Sequence, residues 1–310
     1  MKSVTEYGLL KTLLEQQPSV YLYHYTGPAG AIGILKSKKL WAGRPADMND
    51  STEQVLAQQY AQQELRSLSV LEGSFGEAMV EYALELLQRP NEYYLRLSRV
   101  YTVSLTSERD SLEQWRAYCP RSGGVALGFR SDHLRNVASD QGFILAPCIY
   151  DEDVHERMVT QIVEHHLRVW SDRRSLELPS QGLSSHLVHD FINDLERLAP
   201  LIKHSSFRAE REWRLISPHV SEASTAGYVH IAGETGIRQF REFNLLTENY
   251  PTIPDGEIDP NGFPSGTGQG LHPVIGPSLD PLAMEEALRA LAPEEFGWMY
   301  SVGRTTSPYR

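Results

Sequence analysis

The sequence predicts an α+β fold. Short segments rich in β-formers, such as residues 20–25 (VYLYHY) and 100–105 (VYTVSL), recur at irregular intervals along the 310 residues. Pairs of helical segments separate them, without the regular strand–helix alternation of a parallel sheet. A hydrophobic fraction of 41% and a charged fraction of 22% are ordinary for a folded chain. The length suits a single α+β domain over residues 1–310 that carries a sizeable insert.

In chain order, residues 1–17 carry Glu6 and Glu15 and lack the basic-then-apolar order of a signal peptide. Leu9, Leu10, Leu13 and Leu14 give this segment the apolar side of a short helix. The strand at 20–25 breaks at Thr26-Gly27-Pro28. A helix over 29–39 is expected to turn Ile32, Leu35 and Leu40 inward, and Trp41 and the polar run RPADMNDSTEQ follow it. Helices are predicted at about 53–68 and 76–88, the second stopped by Pro90. Next come the strand at 100–105, a short helix over 110–118, a Gly123-Gly124 turn, a strand at 125–129 and another at 143–150. Pro147 marks the last of these as an edge or bulged strand.

Two long helices at about 154–170 and 185–198 form a helical insert near 152–200. Strands are predicted at 212–217, 228–232 and 240–245. Residues 250–272 hold many Pro and Gly residues and few large apolar ones. A loop of that length is expected to be mobile or functional, here as a lid over a pocket. A strand at 274–275, a helix at 280–291 and a strand near 298–302 follow.

Bulk properties exclude several function classes. The net charge of −11 argues against nonspecific binding of duplex DNA, which needs a basic surface, and leaves room for a local basic cleft. No apolar run approaches the ~20 residues that span a bilayer, so no membrane association is expected. Cys119 and Cys148 form no C-x-x-C pair, which fits a reduced, cytoplasmic setting. His186 and His189 lie three apart, but no H-E-x-x-H or Cys/His set accompanies them, so no metal site is expected. The G-x-S-x-G, P-loop and G-x-G-x-x-G signatures are all missing.

Three separated motifs hold the candidate chemistry. In YLYHYT, alternation puts Tyr21, Tyr23 and Tyr25 on one strand face and Leu22, His24 and Thr26 on the other. His24 then suits a hydrogen bond that orients a ligand, or is a satisfied core histidine. The neighbouring Asn49, Asp50 and Glu53 are either site residues or the cap and first turn of the next helix. In SLTSERDSLEQWRAYCPRSGGVALGF, Thr102, Ser104 and Thr106 share a face. A helix with Trp115 and Tyr118 follows, and Gly123-Gly124 allows close approach of backbone to a ligand. Aromatic faces beside hydroxyls suit a nucleotide or nicotinamide ring, and equally a helix-to-sheet core. In FRAEREWRLIS, strand alternation puts Arg208, Glu210, Glu212 and Arg214 on one face. Two such carboxylates raise each other's pKa and suit charge stabilisation or proton transfer. The alternative is a solvated ladder of mutually neutralised charges.

The order of these motifs resembles the DUF2971 family. The run YHYTGPAGAIGILKSKKLWAGRPADMNDSTE, the S-x-T with its W-x-x-Y helix and G-V-A-L-G-F strand, E-R-E-W-R, and S-V-G-R-T-T-S-P-Y-R carry that resemblance, over roughly residues 21–310. The family is similar to the ADP-ribosyltransferase superfamily. The resemblance implies a split β-sheet around a cleft for NAD, with helical insertions. It also implies that one strand supplies a His or Arg, a second a Ser, Thr or Tyr, and a third a Glu. These positions are His24, Ser104 (or Tyr118) and Glu212, with Glu210 completing Glu-x-Glu. Tyr25, Asn49, Asp50, Trp115 and Arg214 join the expected binding residues.

The chemistry is coherent. Breaking the nicotinamide–ribose bond creates an oxocarbenium-like centre, as in glycoside hydrolysis. A carboxylate stabilises that charge, a second orients or deprotonates a nucleophile, a histidine donates to the ribose, and an aromatic wall excludes water. The expected function is a mono-ADP-ribosyltransferase-like enzyme consuming NAD and modifying an unidentified acceptor, whether protein, nucleic acid or small molecule. A toxin, stress-response or phage-defence setting is implied by the resemblance alone. An NAD glycohydrolase and a noncatalytic nucleotide-binding module are the alternatives. An enzyme needs His24 and Glu212 facing one roomy cavity; a binding module has that cavity blocked or its Glu212 paired with Arg214.

Overall fold

Alternating apolar and polar side chains give this chain a mixed sheet whose edges are used unevenly. A computed structural model describes residues 8–45, 52–67, 75–88, 100–120, 123–171, 181–219, 227–233, 236–246, 271–278, 280–291 and 302–307. Its strands are β1 (Tyr21–Thr26), β2 (Lys39–Gly43), β3 (Thr102–Thr106), β4 (Val125–Arg130), β5 (Ile144–Pro147), β6 (Glu212–Ile216), β7 (Tyr228–Gly233), β8 (Gly236–Asn244), β9 (Leu271–Ile275) and β10 (Gly303–Arg304). Its helices are α1 (Gly8–Leu14), α2 (Pro28–Ser37), α3 (Thr52–Ser67), α4 (Phe75–Gln88), α5 (Leu112–Tyr118), α6 (Ser131–Asp140), α7 (Glu152–Ser171), α8 (Gln181–Leu198) and α9 (Pro281–Leu291). The α+β class is therefore observed, and no helix among the described residues is long and apolar enough to cross a membrane.

The main strand path runs β10-β9-β4-β1-β3-β2-β8-β7, and β6 and β5 branch from it at β3. β1 and β4 pair along their full length, from Tyr21 opposite Arg130 to Thr26 opposite Val125. β3 pairs fully with β6, from Thr102 opposite Ile216 to Thr106 opposite Glu212. Its other edge is shared. β1 meets it only at Tyr23 opposite Thr106, and β2 only at Gly43 opposite Thr102. Between those two contacts the sheet opens.

Separate apolar clusters support this arrangement. One face of the sheet, with Leu22, Val103, Leu105, Phe129, Trp213, Leu215 and Phe243, packs against α2 and α6. A helical cluster from α1, α3, α4, α7 and α8 centres on Met158, Trp170 and Phe191. There Trp170 meets Phe191 edge-on at 5.8 Å, and His166 Nε2 lies 2.9 Å from Asp194 across the α7–α8 pair. The two long helices expected at about 154–170 and 185–198 are this pair.

Several elements differ from expectation. The 29–39 helix ends at Ser37, where Lys38 adopts a left-handed φ of 57° and turns the chain into β2. That strand was hidden because five residues give too little alternation to detect. Ile32 points outward at 40% exposure, since Ala31, Ile34 and Leu35 form the buried side of α2. Helix α6 went unpredicted because its Ser, Asp and Asn content signals turns, although Leu134, Val137 and Ala138 bury its inner face. β5 stops at Pro147, which lacks the N–H to continue the ladder. Leu271 and His272 belong to β9 and not to a loop, because both pair with β4. The remainder of the expected lid at 250–270, and residues 298–301 of the last expected strand, lie outside the described residues. Asn49 and Asp50 do so too.

Trp115 anchors α5. Fully buried, it stacks edge-on against Tyr25 at 4.5 Å, and its indole N–H donates to Asp110 at 2.7 Å. The same carboxylate accepts from the Thr305 hydroxyl and from the Thr306 amide and hydroxyl. Only glycine fits at 276, since a Cβ there would sit 2.6 Å from the Trp115 ring. Gly276→Ala should therefore destabilise the fold by about 1–3 kcal/mol through overpacking. Urea denaturation measures this, and an unchanged midpoint would contradict the packing described.

Candidate functional site

Where β1 and β2 part along β3, a cavity of about 440 Å³ opens. Its wall includes His24, Thr102, Ser104, Tyr118, Lys203, Glu210, Glu212 and Arg214. A smaller recess of about 60 Å³ is lined by Tyr25, Gln114 and Tyr118 together with His24, Ser104, Glu210 and Glu212. The larger volume lies within the range of small-molecule sites. His24, Ser104, Tyr118, Glu210, Glu212 and Arg214, drawn from three motifs, thus meet at one place.

His24 sits at the opening itself. Its Nδ1 lies 3.0 Å from the Ser104 carbonyl oxygen, on the edge of β3 away from β6, between the single contacts with β1 and β2. A carbonyl only accepts, so Nδ1 carries the proton. Burial pushes the imidazole below its ordinary value, against the opposing pull of that hydrogen bond. A neutral ring donating from Nδ1 leaves Nε2 as an acceptor. In that tautomer His24 can accept a hydrogen bond at Nε2 but cannot make the donation expected of it.

β6 begins at Glu212, where the strand was predicted, but the strand alternation expected through the whole Glu-x-Glu segment fails. Ser205–Glu210 forms a 3₁₀ turn, and Arg211 takes a left-handed φ of 43°. Arg208 accordingly leaves the face it was expected to share, reaching Tyr150 O at 3.2 Å instead. Glu210 and Glu212 are nevertheless brought together, by a residue the motif did not contain. Lys203 Nζ donates to Glu210 at 2.5 Å and also to Glu212. Arg214 holds Glu212 through two nitrogens, at 2.8 and 3.2 Å, and donates to Pro200 O at 2.7 Å. The Glu212 amide donates to the Tyr150 hydroxyl at 2.9 Å.

These charges are deeply placed. The side chains of Lys203, Glu212 and Arg214 are only 5%, 5% and 4% exposed, against 18% for Glu210. Burial alone would push Glu212 upward, but Arg214 and Lys203 outweigh it and hold the carboxyl at about 2. Burial likewise pulls the Lys203 ammonium down, and Glu212 and Glu210 reverse this so that it lies above its ordinary value. The expectation that the two carboxylates raise each other's pKa therefore fails for Glu212. It is a permanent anion at neutral pH, suited to electrostatic stabilisation and unsuited to proton transfer. Tyr118, which lines both cavities, is pushed upward by burial and by the two carboxylates, so its phenol stays protonated as a donor.

Other predicted residues fall elsewhere. Trp115 lies in the core and lines neither cavity. Tyr25 reaches only the smaller recess, its hydroxyl donating to Glu108 O at 2.9 Å and accepting from the Ser111 amide at 3.0 Å. The close approach at Gly124 is to the chain itself, since a Cβ there would meet Cys119 Sγ at 2.3 Å. Sequence reading missed Lys203, Trp41, Arg44, Phe207, Arg238 and Phe240, all of which line the larger cavity. For Lys203 a signal existed: a lysine in the apolar run PLIKH, close in sequence to two carboxylates, is a candidate buried cation.

The ionic cluster makes a testable stability claim. The folded value of Glu212 is depressed, so its contribution is complete above the ordinary value of 4.5 and is lost as pH falls towards about 2. Lys203→Met should cost about 3 kcal/mol by leaving buried carboxylate charge less compensated. It should also raise Glu212, moving the acid-unfolding midpoint to higher pH. Circular dichroism across pH 2–5 measures both, and an unmoved midpoint would contradict the pairing.

Residues 114–215 match the family described as "Protein of unknown function (DUF2971)". Comparison with curated proteins and with solved structures gave no match. The matched stretch contains Tyr118, Lys203, Glu210, Glu212 and Arg214, and leaves His24 and Ser104 outside it. The similarity of this chain to the DUF2971 family is thus carried by the carboxylate side of the cleft.

Proposed function

We propose that the cleft binds NAD, breaks its nicotinamide–ribose bond and passes ADP-ribose to an acceptor, as an ADP-ribosyltransferase-like enzyme does. The observation that carries this reading is the convergence of His24, Ser104 and Glu212 on one cavity at the opening beside β3. A sheet parted in this way, with a His, a Ser and a Glu from three different strands, is the arrangement that the resemblance to that superfamily implies.

Each residue then has a defined task. As the C–N bond breaks, its electron pair leaves with nicotinamide and positive charge grows on the ribose. Glu212, anionic at every working pH, faces that charge. His24 Nε2 accepts from a ribose hydroxyl and fixes the sugar. Glu210, on the more exposed turn, orients the incoming nucleophile and takes its proton as the new bond to ribose forms. Water in the acceptor's place turns the same cleavage into NAD hydrolysis.

One observation favours a second reading. Arg214 and Lys203 together compensate Glu212, which lessens its pull on a growing cation. A noncatalytic nucleotide-binding module would keep that pair locked.

The test is nicotinamide release and acceptor labelling by the purified chain. Glu212→Gln should lower NAD cleavage by about 10²–10³-fold with much smaller loss of NAD binding. Glu210→Gln should reduce acceptor labelling more than nicotinamide release. Thermal melts check that both variants fold. Wild-type cleavage by a folded Glu212→Gln variant would remove Glu212 from catalysis, and NAD binding without any cleavage would establish the binding-module reading.

A further inference from the structure

The cavity that holds the carboxylates also has an aromatic lining. Three aromatic side chains among the described residues are both large and well exposed: Trp41 at 44%, Tyr118 at 42% and Phe207 at 37%. All three line this one cavity. Exposed aromatic rings lose apolar burial, so their gathering around a single opening marks a surface that a flat ligand covers.

Trp41 belongs to a ribbon formed by β2 and β8. Register places Trp41 opposite Glu242 and Gly43 opposite Phe240, so the alternation of side chains puts Trp41, Gly43, Arg238 and Phe240 on one face. The opposite face, with Leu40, Ala42 and Phe243, is buried in the core. The rings of Trp41 and Phe240 lie 6.2 Å apart at 36°, forming a tilted platform. Gly43, directly across from Phe240, puts no side chain over it. Arg44 follows Gly43 and lines the same cavity, as does Arg238 two residues before Phe240 on β8. An aromatic platform flanked by two guanidinium groups matches a purine base joined to phosphates, the base by stacking and the phosphates by forked hydrogen bonds.

Position along β3 supplies the orientation. The ribbon touches β3 at Thr102, whereas β1 touches it at Thr106, the residue opposite Glu212. Four residue steps along the strand separate these points by about 13 Å. A ribose–diphosphate–ribose bridge covers such a span, and a single nucleoside does not.

We infer that the β2–β8 ribbon is the binding subsite for the adenosine diphosphate half of the ligand. Trp41 and Phe240 hold the adenine, Arg44 and Arg238 hold the diphosphate, and the nicotinamide ribose points to His24 and Glu212. This assignment rests on the proposed use of NAD and adds the direction in which the dinucleotide lies.

Calorimetric titration of the full chain with ADP, ADP-ribose and nicotinamide mononucleotide tests it, with nicotinamide release from NAD measured in parallel. ADP and ADP-ribose should bind the wild type, and Trp41→Ala should weaken both by about tenfold or more. Arg238→Ala should weaken them in a salt-sensitive way. Affinity for nicotinamide mononucleotide should hardly change in Trp41→Ala, and Glu212→Gln should keep ADP binding. Equal ADP affinity in Trp41→Ala and wild type, or no ADP binding at all, would overturn the subsite. Loss of ADP binding in Trp41→Ala by a chain that releases no nicotinamide would uphold the subsite and overturn the catalytic reading. Nicotinamide release indifferent to Trp41→Ala would do the reverse.

Discussion

A β-strand has two edges, and β3 is asked to serve three neighbours. It gives one edge wholly to β6 and divides the other between β1 at Thr106 and β2 at Thr102. Midway along that divided edge the carbonyl of Ser104 lies between the two contacts, and a backbone acceptor at such depth needs a partner. The ring of His24 supplies one. The same hydrogen bond that completes the backbone also fixes the imidazole tautomer and its place in the cavity wall. The cleft thus follows from how the edges are apportioned, and the histidine's chemistry follows from the cleft.

Opposite that histidine, the carboxylates depend on cations held at equal depth. Glu210, Lys203, Glu212 and Arg214 alternate in sign and sum to zero formal charge. A lone carboxylate as buried as Glu212 would take up a proton; the two cations keep it ionised. Lys203 follows α8 at the end of the helical layer and Glu212 starts β6, so the charges also join the two layers.

Much of the fold was legible because long periodic segments declare themselves. The leucines of α1, the register of α7 from Met158 to Trp170, and the aromatic strand β1 all fall where spacing put them. His24, Ser104 and Glu212 were legible for the same reason, each lying on a strand with an apolar opposite face. What escaped was short or locally disguised. β2 has five residues, and the turn-forming side chains of α6 conceal a buried stripe. Glu210 was identified for the wrong reason, since alternation was assumed through a segment that is a turn. Trp115 satisfied the pattern of a stacking wall and proved to be core, because Asp110 gives its indole a partner inside. Trp41 and Arg238 were invisible, since nothing in a linear pattern shows which distant ribbons close over a gap between strands, and Lys203 showed only as a lysine in an apolar run.

The left-handed residue between the two carboxylates has a mechanical meaning. Glu212 is clamped by strand pairing and by Arg214, while Glu210 ends a short turn on the far side of Arg211, whose φ is 43°. A turn hinged on one strained residue is softer than a ladder of paired strands. Glu212 is held by the strand ladder, whereas Glu210 is held from two sides, by the Lys203 ammonium on its carboxylate and by the Thr106 hydroxyl on its carbonyl at 2.6 Å. The two carboxylates, two residues apart and bound to one ammonium, therefore rest on backbone of different kinds.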